Sequence, residues 1–314
     1  MYIGIDLGGT NIAVGLVDEN GKILAKADTP TLAERDYTEI VADMIKLSEK
    51  VVSDAGFSMN DVKAIGVGTP GSVDYEKGTV AYANNLKFYD TPVAEEIKKY
   101  YDIPVVLEND ANAAAFGEYI ATGDGAKIFV AVTLGTGVGG GIIMDNKIFR
   151  GSNGAGAELG HFTLMHNGLP CSCGKNGCWE SYASVTALIN QTKVAMSKYP
   201  ESLMNTIAKE RGCVNGRTAF DAAKSGDKAA QQVVDKYIEY VADGIVSIVN
   251  IFQPDKLVVG GGISKEGDYL LNPVIEYVRK YDYNKLFKKV EITTATLYND
   301  AGIIGAALAA KYMQ

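Results

Sequence analysis

An internal repeat constrains the fold of this chain more than any other feature of its sequence. The stretches "GIDLGGTNIAVGLV" and "AVTLGTGVGGGIIM" each read as a strand, a glycine turn and a second strand. Leu7 corresponds to Leu134, and Gly8 corresponds to Gly135. Because repeated supersecondary units indicate repeated domains, we predict two similar α/β domains. Each opens with a hairpin whose turn presents backbone N–H groups.

Composition restricts the class of protein. A chain of 314 residues with 47% apolar and 22% charged residues is typical of a globular protein of about two domains. The net charge of -8 argues against broad contact with a nucleic acid backbone. No apolar stretch approaches the length of a bilayer span, and "YIGID" opens the chain without the pattern of a signal peptide. We therefore expect a cytoplasmic protein with no nucleic acid or membrane partner.

Hydrophobic periodicity predicts alternating strands and helices in both halves of the chain. We expect "TPGSVDYEKG" to form a loop. The predicted strands are 2–6, 12–17, 64–68, 105–107, 128–133, 141–144, 256–262 and 290–294. The predicted helices are 38–55, 93–101, 184–199, 219–224, 229–252, 273–281 and one that starts at Ala301.

Three glycine turns are candidate phosphate sites, because glycine allows positive φ and lets a phosphate approach backbone N–H groups. The alternative is that they are simply tight turns. Gly135, Gly137 and Gly140 match G-x-G-x-x-G, but a strand rather than a helix is expected to follow, which excludes a Rossmann site. Three such turns in repeated domains favour a bound nucleotide. The turns contain Gly8, Gly9, Thr10, Thr136, Gly137, Gly260, Gly261 and Gly262.

Two aspartates lie at predicted strand ends. Asp6 precedes the first glycine turn, where it could hold Mg²⁺ through water or cap the turn. Asp110 lies where "LEND" ends a strand and an alanine-rich helix begins. It could cap that helix, or it could accept the proton of an attacking hydroxyl in phosphoryl transfer.

A cysteine cluster predicts a structural zinc site. Three of the four cysteines have the spacing C-x-C-x4-C: Cys171, Cys173 and Cys178. With His161, ten residues earlier, they complete a tetrahedral set of the kind found in closed structural sites. A disulfide would leave one cysteine unpaired and suits a cytosolic protein poorly. His166 is the alternative histidine ligand, and we expect Cys213 to be a buried thiol.

Carboxylates flank the zinc segment. Glu158 and His161 lie in "GAGAELGH", and Glu180 follows the last cysteine of the cluster by two residues. If zinc ties this segment together, the three side chains can converge on sugar hydroxyls, and the metal makes the binding loop rigid. The alternative for each glutamate is a solvated surface acid.

These stretches together resemble the ROK family of bacterial sugar kinases and repressors. The matching motifs are "DLGGT", "ENDANAAAFGE", "GTGVGGGI", "GAGAELGH" and "CSCGKNGCWE", in the order of the family. The resemblance implies an actin-like, hexokinase-type ATPase fold of two RNase H-like α/β domains with an interdomain cleft. Repressors of the family carry a winged helix-turn-helix ahead of "DLGGT". That motif begins at Asp6 here, so we expect a kinase.

The resemblance also implies roles for individual residues. Asp110 is the expected catalytic base. The expected sugar contacts are Gly71, Asn85, Asn109, Asp110, Glu158, His161 and Glu180. The expected ATP and Mg²⁺ contacts are Asp6, Gly8, Gly9, Thr10, Asn11, Thr136, Gly137, Gly260 and Gly261. The expected zinc ligands are His161, Cys171, Cys173 and Cys178.

The expected activity is ATP-dependent phosphorylation of a hexose at its 6-hydroxyl, with glucose as first choice. N-acetylmannosamine, N-acetylglucosamine, mannose and fructose remain alternatives, since they differ by a few contacts at one carbon. A polyphosphate donor and a sugar sensor without turnover are further alternatives. We expect a homodimer. We also expect a small domain of residues 1–117 with 301–314 and a larger domain of residues 118–300.

Overall fold

A computed structural model describes residues 1–312. The strands are β1 (Tyr2–Leu7), β2 (Asn11–Val17), β3 (Ile23–Pro30), β4 (Ala64–Thr69), β5 (Ser72–Asp74), β6 (Thr79–Ala83), β7 (Phe88–Thr91), β8 (Val105–Asn109), β9 (Ile128–Leu134), β10 (Val138–Met144), β11 (Lys147–Ile148), β12 (Lys256–Gly260) and β13 (Glu291–Thr294). The helices are α1 (Tyr37–Asp54), α2 (Val93–Lys98), α3 (Asp110–Thr122), α4 (Glu180–Ala183), α5 (Val185–Lys198), α6 (Leu203–Arg211), α7 (Thr218–Lys224), α8 (Lys228–Phe252), α9 (Asp268–Tyr281) and α10 (Ala301–Tyr312).

Two five-stranded sheets share one strand order. The first sheet has the order β3-β2-β1-β4-β8, and the second has the order β11-β10-β9-β12-β13. In the first, β1 pairs antiparallel with β2 and parallel with β4. In the second, β9 pairs parallel with β12, which pairs parallel with β13. The common strand order confirms the predicted internal repeat.

The chain forms two compact units. The first unit contains Met1–Lys127, Gly141–Ala157 and the residues from Thr296 onward. The second unit contains Ile128–Gly140 and Glu158–Ala295. The predicted domain bounds, 1–117 with 301–314 and 118–300, stay a prediction. The last two residues of that range, Met313 and Gln314, lie outside the described residues.

In the first unit, α10 packs directly on the sheet. Ten of its residues are buried, from Ala301 to Ala310, so the helix is covered on all sides. A methyl group at Gly4 of β1 would lie 1.9 Å from the carbonyl oxygen of Ile303. One at Gly66 of β4 would lie 1.8 Å from the carbonyl oxygen of Ala306. Glycine at these strand positions therefore lets the helix backbone approach the sheet.

A buried glutamate holds the start of the C-terminal segment within the first unit. Glu118 of α3 is 3% exposed. Its carboxylate accepts hydrogen bonds from the backbone N–H of Thr296 at 3.0 Å and of Leu297 at 2.7 Å. The Thr296 hydroxyl donates a third at 3.2 Å. These bonds fix the chain immediately before α10.

In the second unit, helix α8 is amphipathic. Its buried face includes Val234, Tyr237, Val241 and Ile245, which recur at helical spacing. Asp227 caps its N-terminus by accepting the N–H of Ala230. The side chains of Trp179 and Tyr237, among the largest that are fully buried, lie in this unit. No helix among residues 1–312 combines the length and the apolar character needed to cross a membrane.

Candidate active site

The first glycine turn lies next to a predicted sugar residue. The Gly8 N–H donates to the carbonyl oxygen of Asn11 at 2.9 Å, which closes the turn between β1 and β2. The Thr31 hydroxyl donates to the Gly8 carbonyl oxygen at 2.6 Å. A methyl group at Gly9 would lie 3.0 Å from Nδ2 of Asn85, which follows β6. Within the first unit, the structure thus brings Asn85 against the predicted phosphate turn, whose tip at Thr10 is exposed.

Asp6 is a carboxylate in a largely buried position at the end of β1. Ala13 of β2 and Gly68 of β4 are its sheet neighbours, and its Oδ2 faces Gly302 of α10. Burial, together with the nearby charge of Asp110, raises the pKa of Asp6 to about 6. Among the described residues, no hydrogen bond or ion pair is recorded for the Asp6 carboxylate. The two aspartates predicted from the sequence therefore interact within the first unit.

Asp110 is the first residue of α3 rather than its cap. Asn109 is the N-cap, and its Oδ1 accepts the N–H groups of Ala111 at 3.0 Å and Asn112 at 3.2 Å. Oδ1 of Asp110 accepts the N–H of Ala111 at 2.8 Å. Burial raises the pKa of Asp110, and backbone hydrogen bonds partly oppose this. Its carboxyl group is therefore available for chemistry, because Asn109 performs the capping.

Gly71 joins this cluster through its backbone. Its carbonyl oxygen accepts a hydrogen bond from Nδ2 of Asn109 at 3.1 Å. Gly71 has φ of +87°, and a methyl group there would lie 2.0 Å from the Tyr82 carbonyl oxygen, so only glycine fits. The structure thus brings Gly71, Asn109 and Asp110 together at the end of β8.

In the second unit, Glu180 lies on the second glycine turn. Its Oε2 accepts the N–H of Val138 at 3.0 Å. A methyl group at Gly137 would lie 2.3 Å from the same oxygen. The Thr136 carbonyl oxygen accepts a hydrogen bond from Thr186 at 2.7 Å, which ties the turn to α5. Glu180, predicted to bind sugar, therefore contacts the turn predicted to bind phosphate.

Glu158 precedes the short helical turn Leu159–His161. Its carbonyl oxygen accepts the N–H of His161 at 3.1 Å. No hydrogen bond between the side chains of Glu158 and Glu180 is recorded in the described part of the chain. The convergence of Glu158, His161 and Glu180 on a sugar stays a prediction.

The third glycine turn packs against the end of β9. Gly260 pairs with Thr133 in the parallel sheet. Gly261 has φ of +87°, and a methyl group there would lie 2.2 Å from the carbonyl oxygen of Leu134. The second and third glycine turns therefore lie on neighbouring strands of the second unit.

A cavity of about 1050 Å³ in the second unit reaches the second glycine turn. Thr136, Gly137 and Glu180 line it together with residues of α5 and α8. Gly260 and Gly261 are outside its lining. The cavity has the size of a small-molecule site.

The predicted zinc ligands lie in one cluster. The donor atoms of His161, Cys171, Cys173 and Cys178 all lie within 4.8 Å of one another. Nδ1 of His161 is 3.6 Å from Sγ of Cys171, and Sγ of Cys173 is 3.6 Å from Sγ of Cys178. Ligand atoms about 2.0–2.3 Å from a tetrahedral zinc ion are about 3.3–3.8 Å apart. The donor set therefore fits zinc in chemistry, number and spacing.

Backbone geometry brings these ligands together. Isolated antiparallel bridges join Thr163 to Cys178 and Pro170 to Asn176. Gly174 and Gly177 adopt φ of +86° and +82°, which a side chain would disfavour. His166, the alternative ligand, is not part of the cluster. The expectation of a buried thiol at Cys213 is wrong, because this residue is exposed in the stretch after α6.

A buried ionic cluster around Glu108 was not predicted from the sequence. This glutamate is 1% exposed and pairs with Arg150. The signal was a lone charged residue within the apolar strand "VVLEN". The partner lies 42 residues away, and its position in a glycine-rich stretch gave no indication of the contact.

A sequence model of the ROK family matches residues 2–312. The chain belongs to the ROK family. It is 35% identical to a glucokinase of Halalkalibacterium halodurans over 315 residues, covering 100% of this chain and 96% of that one. It is 38% identical to a glucokinase of Thermotoga maritima over 309 residues, covering 97% and 95% of the two chains.

Solved structures of the ROK family share the fold. A ROK glucokinase from Streptomyces griseus, in complex with glucose and AMPPNP, is 35% identical. It superposes with a TM-score of 0.80, and the match covers 99% of each chain. This likeness confirms the predicted α/β fold of the actin-like, hexokinase type.

Proposed function

We propose that this ROK protein is an ATP-dependent hexose kinase that phosphorylates glucose at its 6-hydroxyl. The observation that carries the proposal is the position of Asp110, a largely buried carboxyl group that does not cap its own helix. Similarity to glucokinases over almost the whole chain supports both the reaction and the sugar. The ROK glucokinase bound to glucose and AMPPNP supports ATP as the phosphoryl donor.

In the proposed mechanism, Asp110 accepts the proton of the sugar 6-hydroxyl. The oxygen forms a bond to the γ-phosphorus of ATP as the bond to the ADP oxygen breaks. Asn109 and Gly71, joined by a hydrogen bond beside Asp110, are assigned to orient the sugar together with Asn85. Glu158, His161 and Glu180 are assigned to the remaining hydroxyl contacts.

The glycine turns are assigned to ATP. The first turn contributes Gly8, Gly9, Thr10 and Asn11, the second contributes Thr136 and Gly137, and Gly260 with Gly261 is assigned to the adenosine. Mg²⁺, when bound, neutralises charge that develops on the phosphates. Asp6 would hold it through water, since its buried carboxylate has no recorded protein partner in residues 1–312.

Zinc is assigned a structural role. His161, Cys171, Cys173 and Cys178 would hold it, and a set of four protein ligands leaves no open position for chemistry. The thiolate ligands require a reducing compartment, which supports a cytoplasmic location. Zinc would thus stabilise the segment that carries His161 and precedes Glu180.

The homodimer rests on family resemblance alone. Sedimentation velocity measures it directly. We expect a mass of twice the chain mass of 33.5 kDa. A mass of 33.5 kDa at micromolar concentration would contradict the dimer.

A coupled ADP-release assay tests the function. Zinc-loaded protein is given Mg-ATP and, separately, glucose, mannose, fructose, N-acetylglucosamine or N-acetylmannosamine, and polyphosphate replaces ATP in a parallel series. We expect the highest kcat/KM with glucose and ATP. Preference for another sugar would change the substrate and keep the reaction. No turnover with any sugar or donor would overturn the kinase proposal in favour of a sugar sensor.

A further inference from the structure

Five hydrogen bonds converge on the buried carboxylate of Glu108. Its Oε2 accepts from Nε of Arg150 at 2.8 Å and from Nη2 of Arg150 at 2.6 Å. Its Oε1 accepts from the Tyr75 hydroxyl at 2.8 Å, from Nδ2 of Asn112 at 3.1 Å and from the Asn109 N–H at 3.0 Å. A carboxylate that is 1% exposed is stable only with such partners.

The arginine contacts more than the carboxylate. Its guanidinium carbon lies 4.0 Å from the ring centroid of Tyr75, which places the cation over the aromatic face. Lysine cannot reproduce both the two-bond contact and the stacking, because its charge is compact and its donors are not planar. The site is therefore specific for arginine.

This cluster joins three segments of the first unit. Tyr75 follows β5, Glu108 lies in β8, and Arg150 begins the glycine-rich connector 150–157. The connector packs against the ring of Tyr75, since a methyl group at Gly154 would lie 2.8 Å from that ring. At Ala157 the connector ends, and Glu158 is the next residue of the chain.

Glu108 also determines the geometry of the proposed base. It immediately precedes Asn109 and Asp110, and it binds the backbone of Asn109 and the side chain of Asn112. Both bonds restrain the first turn of α3, from which the Asp110 carboxyl group projects. Oδ1 of Asn112 has no hydrogen-bond partner among the described residues, and its Nδ2 donates to Glu108 at 3.1 Å, so Glu108 helps to orient this buried amide.

We propose that Arg150 is a positioning residue: through Glu108 it holds Asn109 and Asp110 in the orientation that phosphoryl transfer requires, and it anchors the connector that leads to Glu158. The inference rests on the proposed kinase function. It predicts that replacing Arg150 with lysine lowers activity, although Arg150 is assigned no contact with sugar or ATP.

The principal test compares Arg150→Lys with wild type in steady-state kinetics. We expect kcat to fall by about 10- to 100-fold, since a displacement of about 1 Å at the reacting groups has an effect of this size. We expect the KM for ATP to stay within about twofold, because the ATP contacts are elsewhere. Tyr75→Phe, which keeps the ring and removes one donor to Glu108, should lower kcat in the same direction by less.

Hydrogen exchange separates positioning from a general loss of stability. In Arg150→Lys we expect faster amide exchange in residues 109–112 and 151–157 and unchanged exchange in α1. The matched control is Arg211→Lys, which alters an ion pair with Asp221 on the surface of the second unit. It should change neither kcat nor exchange in these segments.

Two results would overturn the inference. One is a folded Arg150→Lys enzyme with wild-type kcat and wild-type sugar KM. The other is a loss of activity that only follows the folded fraction, with faster exchange throughout the first unit. If Arg150→Lys does not fold, Tyr75→Phe with wild-type kcat overturns it. If the wild type phosphorylates no sugar, the proposed function fails, and the exchange measurement still decides whether Arg150 orders the two segments.

Discussion

At the scale of single residues, the proposed chemistry depends on two acids in unfavourable positions. Asp6 and Asp110 are largely buried, burial raises the pKa of both, and the charge of Asp110 adds to the shift at Asp6. Buried acids of this kind are typical of functional sites, where a group that destabilises the folded protein is retained because the reaction needs it. We therefore expect a substitution at Asp110 to change kcat and a substitution at Asp6 to change the free energy of unfolding.

Asp110→Asn should bind glucose with nearly wild-type affinity and lose about 10²- to 10⁴-fold in kcat, the usual contribution of a general base. Calorimetry measures the binding, and the ADP-release assay measures kcat. Asp227→Asn is the matched control, because Asp227 also lies at a helix N-terminus and asparagine caps equally well. Wild-type turnover in Asp110→Asn would refute its assignment as the base. In the wild type, kcat should fall at acidic pH, since protonated Asp110 cannot accept the proton.

Asp6→Asn should stabilise the protein at pH 7. The pKa of Asp6 is 3.8 in an ordinary environment and about 6 when folded, so the folded state binds more protons between these values. Stability of the wild type therefore decreases as pH rises through this window. The difference corresponds to about 3 kcal/mol at most, at about 1.4 kcal/mol per pKa unit. Urea unfolding without Mg²⁺ at pH 7 should show a gain of about 1–3 kcal/mol that shrinks towards pH 4. A variant less stable than wild type at pH 7 would contradict this.

At the scale of elements, close backbone packing positions α10 in the first unit, and the predicted zinc ligands lie in the segment between β11 and α4. Helix α10 packs closely on β1, β4 and α3 at Gly4, Gly66 and Gly305. A methyl group at any of these positions would lie less than 2 Å from a backbone oxygen. The segment between β11 and α4 has little regular structure of its own, and two isolated bridges are its strand pairing among the described residues. One region is held by packing, and for the other we propose that a metal is required.

Gly305→Ala tests the packing of α10 on α3. A methyl group at Gly305 would lie 1.7 Å from the carbonyl oxygen of Ala113, so a backbone must move. We expect destabilisation of about 3 kcal/mol or more, the upper range for overpacking. Gly262→Ala is the control, because a methyl group there meets no atom within 4 Å. Urea unfolding compares the two, and equal stability would show that the helices separate easily.

Cys173→Ser tests the zinc segment. Loss of one thiolate should reduce bound zinc from about one ion per chain to near zero and should weaken glucose binding in parallel. Metal analysis and calorimetry measure the two effects. Cys213→Ser is the matched control, since this exposed cysteine lies outside the cluster. Glucose affinity that survives the loss of zinc would disprove the structural role of the metal.

At the scale of the whole molecule, the long periodic helices were predictable, whereas several short or partly exposed elements were not. The helix predicted at 38–55 is α1, and the one at 229–252 is α8. The prediction of a loop at 69–78 was wrong in part, because Ser72–Asp74 forms β5 and pairs with β6. A strand of three residues is too short to show a hydrophobic periodicity. The strand conformation of β5 therefore depends on its pairing with β6.

Other differences have the same cause. Strand β3 and helix α6 were not predicted: β3 is mostly half-exposed, and α6 buries only Met204 and Ala208. Helix α9 begins at Asp268, five residues before the predicted start, and includes Pro273 in its second turn. Local patterns are weak where an element buries little surface, and tertiary packing then decides its extent.

The sequence by itself determined the family and the repeat of a strand, a glycine turn and a strand, and it predicts the four zinc ligands. Each of these depends on residues that are close in sequence or on a pattern that occurs twice. The tertiary structure alone decided that Asn109 caps α3, that Glu180 lies on the second glycine turn, and that Arg150 neutralises Glu108. Such contacts depend on where folding places distant side chains, because a buried charge or N–H group takes the partner that packing brings within reach.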